Sequence, residues 1–376
     1  MNDVTTSPLR VLFVTESREV WGAEESLLLI LSEAQKHGIE AEVALRPGSP
    51  LAPRLAEIGV RFIEHRFASH PALSRNGSLS SATKLDLLRD GFSTLFGGLR
   101  GVFLVSRFDV VVPFSLWQTP ETVLASRLTR RTSVIDIHET FHGVLGKKMV
   151  RMLAGLASGT ISPSKHLAEQ YQIAEARIIP RPVITPQGAV QPTRNDRVVT
   201  LGMFGQISPH KRVLELVQAF KALDSSVRLL IVGGRERSNR SEYELEVRNE
   251  VESMADGSQV VERQRDISLT MSQCDFVANV SEHEAFGRTV VEAIANGSTP
   301  LVLDGTGPAE IVRMTGIGYV FESIESLAAH AASRPTAPPS GPIINRVRMD
   351  FSPETIAAQY FDNLRAIHKK GHHAKT

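Results

Sequence analysis

Short β-branched runs alternate with longer stretches of helical spacing along most of the chain, a pattern that predicts βαβ units and parallel sheets. Residues 10–15 (RVLFVT) predict a buried strand and residues 16–22 a loop. Residues 23–37, with Leu27, Leu28, Leu31 and Ala34 at helical spacing, predict a helix stopped by Gly38. Further strands are expected at 42–45, 108–113, 133–137 and 159–162. A second alternating block gives strands at 198–204, 228–232, 259–262, 275–280 and 300–303, with helices at 213–223, 242–254 and 289–295. A last helix is expected at 353–368.

Proline and glycine mark the divisions. Residues 69–81 turn to Ser, Asn, Gly and Pro and predict a mobile surface loop. Pro180, Pro182, Pro186 and Pro192 disfavour helix and central strand alike, which makes residues 181–196 a linker. The expected organisation is an α/β domain over 1–180, the linker, a second α/β domain over 197–345, and a closing segment over 346–376. A length of 376 residues fits two domains.

Charge and cysteine content narrow the class. The 42 Lys and Arg nearly cancel the 41 Asp and Glu, which argues against a nucleic-acid binder. Arg127, Arg130 and Arg131, then Lys147, Lys148 and Arg151, form basic clusters that fit solvated surface and are compatible with peripheral association at a membrane. A single cysteine, Cys274, leaves no intrachain disulfide, Cys-based zinc site or redox pair. No signal peptide or spanning segment is visible, so a cytoplasmic location is expected.

In open α/β sheets ligands bind at the carboxyl ends of the strands. The loop ending in Trp21-Gly22-Ala23-Glu24 meets a helix start, where glycine lets backbone approach an anion; an ordinary strand-to-helix turn would look the same. Gly205 to Lys211 also joins strand to helix, and a lysine there can balance phosphate charge. The third loop, Ser281 to Arg288, carries Glu284, with Glu292 eight residues on in the following helix. Several other glutamate pairs share that spacing; what sets this one apart is its strand–acidic loop–Phe-Gly–helix–strand context. Carboxylates so placed suit sugar hydroxyls, which need strong acceptors.

EHEAFGRTVVEAIANGSTPLV resembles the E-x7-E motif of retaining glycosyltransferases of the GT-B fold, the "glycosyl transferases group 1". LGMFGQISPHKRVLELVQAF resembles their phosphate-binding strand–loop–helix, GTGPAEIV a downstream element, and WGAE their amino-terminal glycine turn. The resemblance implies two Rossmann-like domains facing each other across a cleft, with the final helix crossing back to the first. It implies a nucleotide-diphosphate sugar donor, UDP- or GDP-linked, on the carboxy-terminal domain, and a glycan, lipid-linked or small-molecule acceptor on the amino-terminal side. Glu284 would contact the transferred sugar, Glu292 the ribose, and Lys211 the diphosphate leaving group, aided by the Gly22 loop. Phe286, Gly287 and Arg288 would line the donor, and His138, at a strand end, would touch the sugar. One departure concerns Gln206, where such enzymes commonly carry arginine; Arg288 or Arg212 could supply the missing cation. The chain contains no Asp-x-Asp, so lysine plus helix termini is the consistent means of charge neutralisation, and neither a metal nor another cofactor is expected.

Two alternatives stand beside this one. His138-Glu139-Thr140-Phe141-His142 is literally H-E-x-x-H, the zinc metallohydrolase pattern, with His166 or Glu169 as a third ligand. That chemistry needs both histidines one turn apart on a continuous helix, whereas a strand precedes His138 here. The other alternative is a non-catalytic relative that binds nucleotide sugar.

Overall fold

The structure is a computed structural model, and it describes residues 7–68, 84–141, 143–185, 198–223, 227–235, 237–254, 257–333 and 338–373. The expected loop at 69–81 and most of the expected linker lie outside these residues. The chain divides into two compact units, Met1–Pro182 with Pro353–Thr376, and Val183–Ser352.

The first unit runs β1 (Leu9–Thr15), α1 (Gly22–Ser32), β2 (Ile39–Leu45), α2 (Leu51–Glu57), β3 (Arg61–Glu64), α3 (Lys84–Val105), β4 (Val110–Pro113), α4 (Thr119–Leu128), β5 (Thr132–Asp136), α5 (Gly143–Leu156), β6 (Gly159–Ser162), α6 (Lys165–Gln170) and β7 (Arg177–Ile178). Its seven strands are parallel, in the order β3-β2-β1-β4-β5-β6-β7. The expected helix over 23–37 is interrupted: α1 stops at Ser32, and Ala34–His37 tightens into a 3-10 turn closed by Gly38 in the left-handed region. Val11, Phe13, Val43 and Val112 pack one sheet face against Leu27, Ile30 and Leu31 of α1.

The second unit runs β8 (Thr200–Phe204), α7 (Val213–Ala222), β9 (Arg228–Gly234), α8 (Glu242–Glu252), β10 (Gln259–Glu262), α9 (Ser268–Ser272), β11 (Phe276–Asn279), α10 (Arg288–Ala295), β12 (Thr299–Leu303), α11 (Gly307–Thr315), β13 (Tyr319–Phe321), α12 (Ile324–Ser333) and α13 (Gly341–Asp350). Its six strands are parallel, ordered β10-β9-β8-β11-β12-β13. Leu216, Val217 and Phe220 of α7 bury against Leu201, Met203, Leu229 and Ile231. Cys274 lies in the core, where burial pushes its thiol up to about 12 and leaves it unreactive near neutral pH. After α13 the chain re-enters the first unit as α14 (Pro353–His373), whose Ile356, Tyr360, Phe361 and Leu364 join the core beneath α1.

In each sheet the chain order reverses once, between β1 and β4 in the first unit and between β8 and β11 in the second. These are the two places where a crevice opens at the carboxyl ends of the strands.

Candidate active site

At the switch point of the second unit, β8 leads into a loop, a 3-10 turn at Pro209–Lys211 and α7; β11 leads into residues 280–287 and α10. Adjacency of β8 and β11 therefore sets the two informative loops side by side, and the Glu282 N–H donates to the His210 carbonyl at 3.0 Å. Across this seam the Lys211 ammonium hydrogen-bonds the Glu284 carboxylate. Partial burial pushes the Glu284 carboxyl up, but the adjacent Lys211 charge and hydrogen bond, the Ser281 hydroxyl and nearby His210 prevail and hold it below the ordinary carboxylate range. Both side chains keep part of their surface in water.

Backbone approaches too close for any side chain hold these loops. The Gly205 N–H donates to the Val232 carbonyl at 2.9 Å, and a Cβ on Gly233 would overlap the Gly205 carbonyl. The Gly307 N–H, at the start of α11, donates to the Glu284 carbonyl at 3.0 Å. A Cβ on Gly307 would overlap the Ala285 carbonyl and lie 2.8 Å from the Phe286 nitrogen. Gly307→Ala should accordingly cost about 1–3 kcal/mol by forcing the Glu284 loop outward, an outcome read as a lower melting temperature of the intact chain.

The remaining sequence-predicted residues of this unit fall into distinct roles. Arg288 bridges Glu292 one turn along α10 at 3.1 Å, so its guanidinium fixes that carboxylate. The Phe286 ring is buried against Phe351 among Val290, Val302 and Ile311, which leaves its backbone rather than its ring to face a ligand. Gly287 caps α10 at a φ of 90°. Arg212 caps α7 at a φ of 54° and lies 3.7 Å from Glu215.

In the first unit the loops after β1, β4 and β5 interlock. Gln118 donates to Glu16 at 2.7 Å, and the Leu116 N–H donates to Glu139 at 2.9 Å. The His138 ring lies 4.3 Å from that of Phe114. At the start of α1 the Trp21 N–H and the Ser17 hydroxyl each donate to Glu24, at 3.0 and 2.9 Å, which shapes the turn that presents Gly22. Burial pushes the Glu139 carboxyl up, against the pull of His138 and the Leu116 N–H. Tyr171 pins the strand β5 exit from below: its hydroxyl donates to the Glu139 carbonyl at 2.9 Å and accepts from the Phe141 N–H at 2.7 Å.

That pinning corrects the H-E-x-x-H alternative. Residues 137–141 are loop, α5 starts only at Gly143, and Glu139 is engaged by backbone, so the continuous helix that would align two histidine ligands is absent. His142 lies outside the described residues. Among the described residues no three His, Cys, Asp or Glu side chains form a metal cluster.

Sequence reasoning missed the buried group beneath His138. Asp136 accepts from Arg181 Nη1 at 3.1 Å and from the Tyr360 hydroxyl at 2.7 Å, with a second hydrogen bond from Arg181 Nη2. His138 Nδ1 is 3.9 Å from the same carboxylate. Arg181 stands in the stretch that proline content marks as linker, so only its neighbour Asp136, a charge ending a buried strand, offered a signal.

Two parallel α/β units, each with its polar loops at the switch point, define a protein of the GT-B fold. The family model of glycosyl transferases group 1 matches residues 189–333, the greater part of the second unit. The chain is 26% identical over 342 residues to a GDP-mannose:cellobiosyl-diphosphopolyprenol alpha-mannosyltransferase of Komagataeibacter xylinus, covering 83% of this chain and 80% of the relative. Among solved structures it resembles Anabaena HepE in complex with UDP and glucose, with a TM-score of 0.73 at 19% identity over 95% of this chain and 100% of that one. A glycosyltransferase from Rickettsia africae gives 0.72 at 17% identity over 96% and 99%. At those identities the structural likeness establishes the fold.

Proposed function

We propose that the chain transfers a sugar from a nucleoside-diphosphate sugar to a glycan or lipid-linked acceptor, with retention of configuration and without a divalent metal. The observation that carries this reading is the Lys211–Glu284 pair at the β8/β11 switch point, a fixed cation and a fixed carboxylate held by backbone–backbone contacts. Lysine can turn from Glu284 to a diphosphate as a point charge, which neutralises the leaving group without a metal. Glu284, released from its partner, is then free to accept from sugar hydroxyls. Glu292, steadied by Arg288, is assigned to the ribose, and the backbone of Phe286 and Gly287 to the donor. The assignments of Gly22 to the diphosphate and His138 to the sugar belong to the same proposal. Support for the donor class comes from the similar proteins, one a GDP-mannose:cellobiosyl-diphosphopolyprenol alpha-mannosyltransferase and one crystallised with UDP and glucose.

Thermal melting of the intact chain with GDP, UDP, GDP-mannose and UDP-glucose, each with and without EDTA, tests it. A ligand at 100 times its Kd stabilises by about 2.7 kcal/mol. The expected result is a rise with one nucleoside diphosphate and its sugar, unchanged by EDTA. No rise with any of them overturns the donor reading, and a rise abolished by EDTA overturns metal independence. Retention is read separately, from the anomeric configuration of the product by NMR.

A further inference from the structure

Helix α3 is built the wrong way round for a water-soluble surface. Along its middle turns the buried face is glycine: a Cβ on Gly98 would lie 2.7 Å from Leu124, one on Gly97 3.2 Å from Glu121 Cβ, and one on Gly101 3.4 Å from Ala125 Cβ, all on α4. Its large apolar side chains point outward instead. Leu85, Leu88, Phe92, Leu95, Phe96, Leu99 and Phe103 are all exposed, Phe92 at 62%, Phe96 at 61% and Phe103 at 79%. At 100° per residue they occupy one stripe, about 27 Å long from Leu85 to Phe103. An amphipathic helix in water turns such a stripe inward, so this one is shaped to meet something apolar.

Charge says what. Arg89 and Arg100 are exposed along one edge of the stripe, whereas both acids of the helix, Asp86 and Asp90, are buried. Helix α4 also packs against α5, which repeats the pattern: Val144, Leu145 and Met152 are exposed beside exposed Lys148 and Arg151, and the helix has no acidic residue. Apolar side chains rimmed by cations and cleared of carboxylates fit the headgroup boundary of an anionic bilayer. A second copy with its stripe antiparallel fits poorly, because it would bring Arg89 of one toward Arg100 of the other. Among the described residues no helix is long and apolar enough to cross a membrane, so α3 would lie on the surface rather than span it.

We infer that the outward face of α3, extended by α5, docks the first unit on an anionic lipid surface. The inference stands apart from the donor reading, because lipid binding is measured without donor or acceptor. The test is co-sedimentation of the full chain with vesicles of phosphatidylcholine alone or mixed with phosphatidylglycerol. Binding should require phosphatidylglycerol and fall as salt rises. The triple variant Leu88→Ser, Phe92→Ser, Phe103→Ser should bind at least about tenfold more weakly while melting at the parent temperature, since all three side chains are exposed. Arg89→Gln with Arg100→Gln should cost roughly tenfold on the mixed vesicles. No binding to either vesicle, or equal binding to both, overturns the inference. So does a concentration-dependent dimer in light scattering that the triple variant abolishes, which would assign the face to a second copy.

Discussion

Glu284→Gln is expected to lower kcat by about a hundredfold to a thousandfold while leaving nucleoside-diphosphate affinity unchanged or tighter. Glutamine keeps the size of the side chain and removes the charge. On the proposed reading the sugar loses its ionised acceptor, whereas Lys211 loses the carboxylate it now hydrogen-bonds and becomes more available to an anion. Lys211→Ala should do the reverse to binding, weakening the nucleoside diphosphate about tenfold and slowing transfer as well. Isothermal titration with GDP and UDP, beside turnover of the matching donor, separates the two. A pair serving stability alone would lower the melting temperature in both variants and move affinity and turnover together. The pH dependence has a definite sign. Because the Glu284 carboxyl is held below its ordinary value of 4.5, the stabilisation from the pair is fully present above that value. It is lost as pH falls through the depressed one.

The candidate loops of the second unit were legible because their sequence carries physical punctuation: a β-branched strand, glycine where backbone must pass backbone, then a lysine or glutamate before helical spacing resumes. Residues 259–262 and 159–162 match β10 and β6 to the residue, and α7, α8 and α10 differ from expectation by one or two residues at an end. The first unit was legible in its buried strands, in α1 and in the returning helix α14. No helix was expected over Lys84–Val105: its apolar residues do recur at helical spacing, but Gly91, Gly97, Gly98 and Gly101, which disfavour helix, weaken that signal. Strand β3 escaped notice for a different reason: an edge strand with Arg61, Phe62 and Glu64 exposed shows no buried run. The interruption after Ser32 was invisible because Ala34 continues the apolar spacing of α1 through the tighter turn. Phe286 shows the opposite limit. Its place in the motif was plain, but only the packing against Phe351 distinguishes a core ring from a ligand-facing one.

Asp136→Asn is expected to be the most destabilising conservative change in the first unit, by about 3–5 kcal/mol. Arg181 is 4% exposed, and Asp136 is fully buried, so removing the carboxylate strands a cation with no water to solvate it. The group also joins three distant parts of the chain: the end of β5, the segment after β7, and Tyr360 on the returning helix α14. Burial pushes the Asp136 carboxyl up, but Arg181, with His138 beside it, outweighs burial and holds it at about 2, against 3.8 for the ordinary group. Its contribution is therefore complete above pH 3.8 and is lost as the pH falls toward 2. Calorimetry should show Asp136→Asn melting roughly 10 °C lower, at 2–4 °C per kcal/mol for a unit of this size. Tyr360→Phe removes one hydrogen bond and should cost only about 1–2 kcal/mol. The double variant Asp136→Leu, Arg181→Met distinguishes charge from packing. It takes both ions out of the core together, and should recover most of the lost stability if the stranded guanidinium is the cause. A double variant as unstable as Asp136→Asn would instead place the cost in the lost tie between β5 and α14.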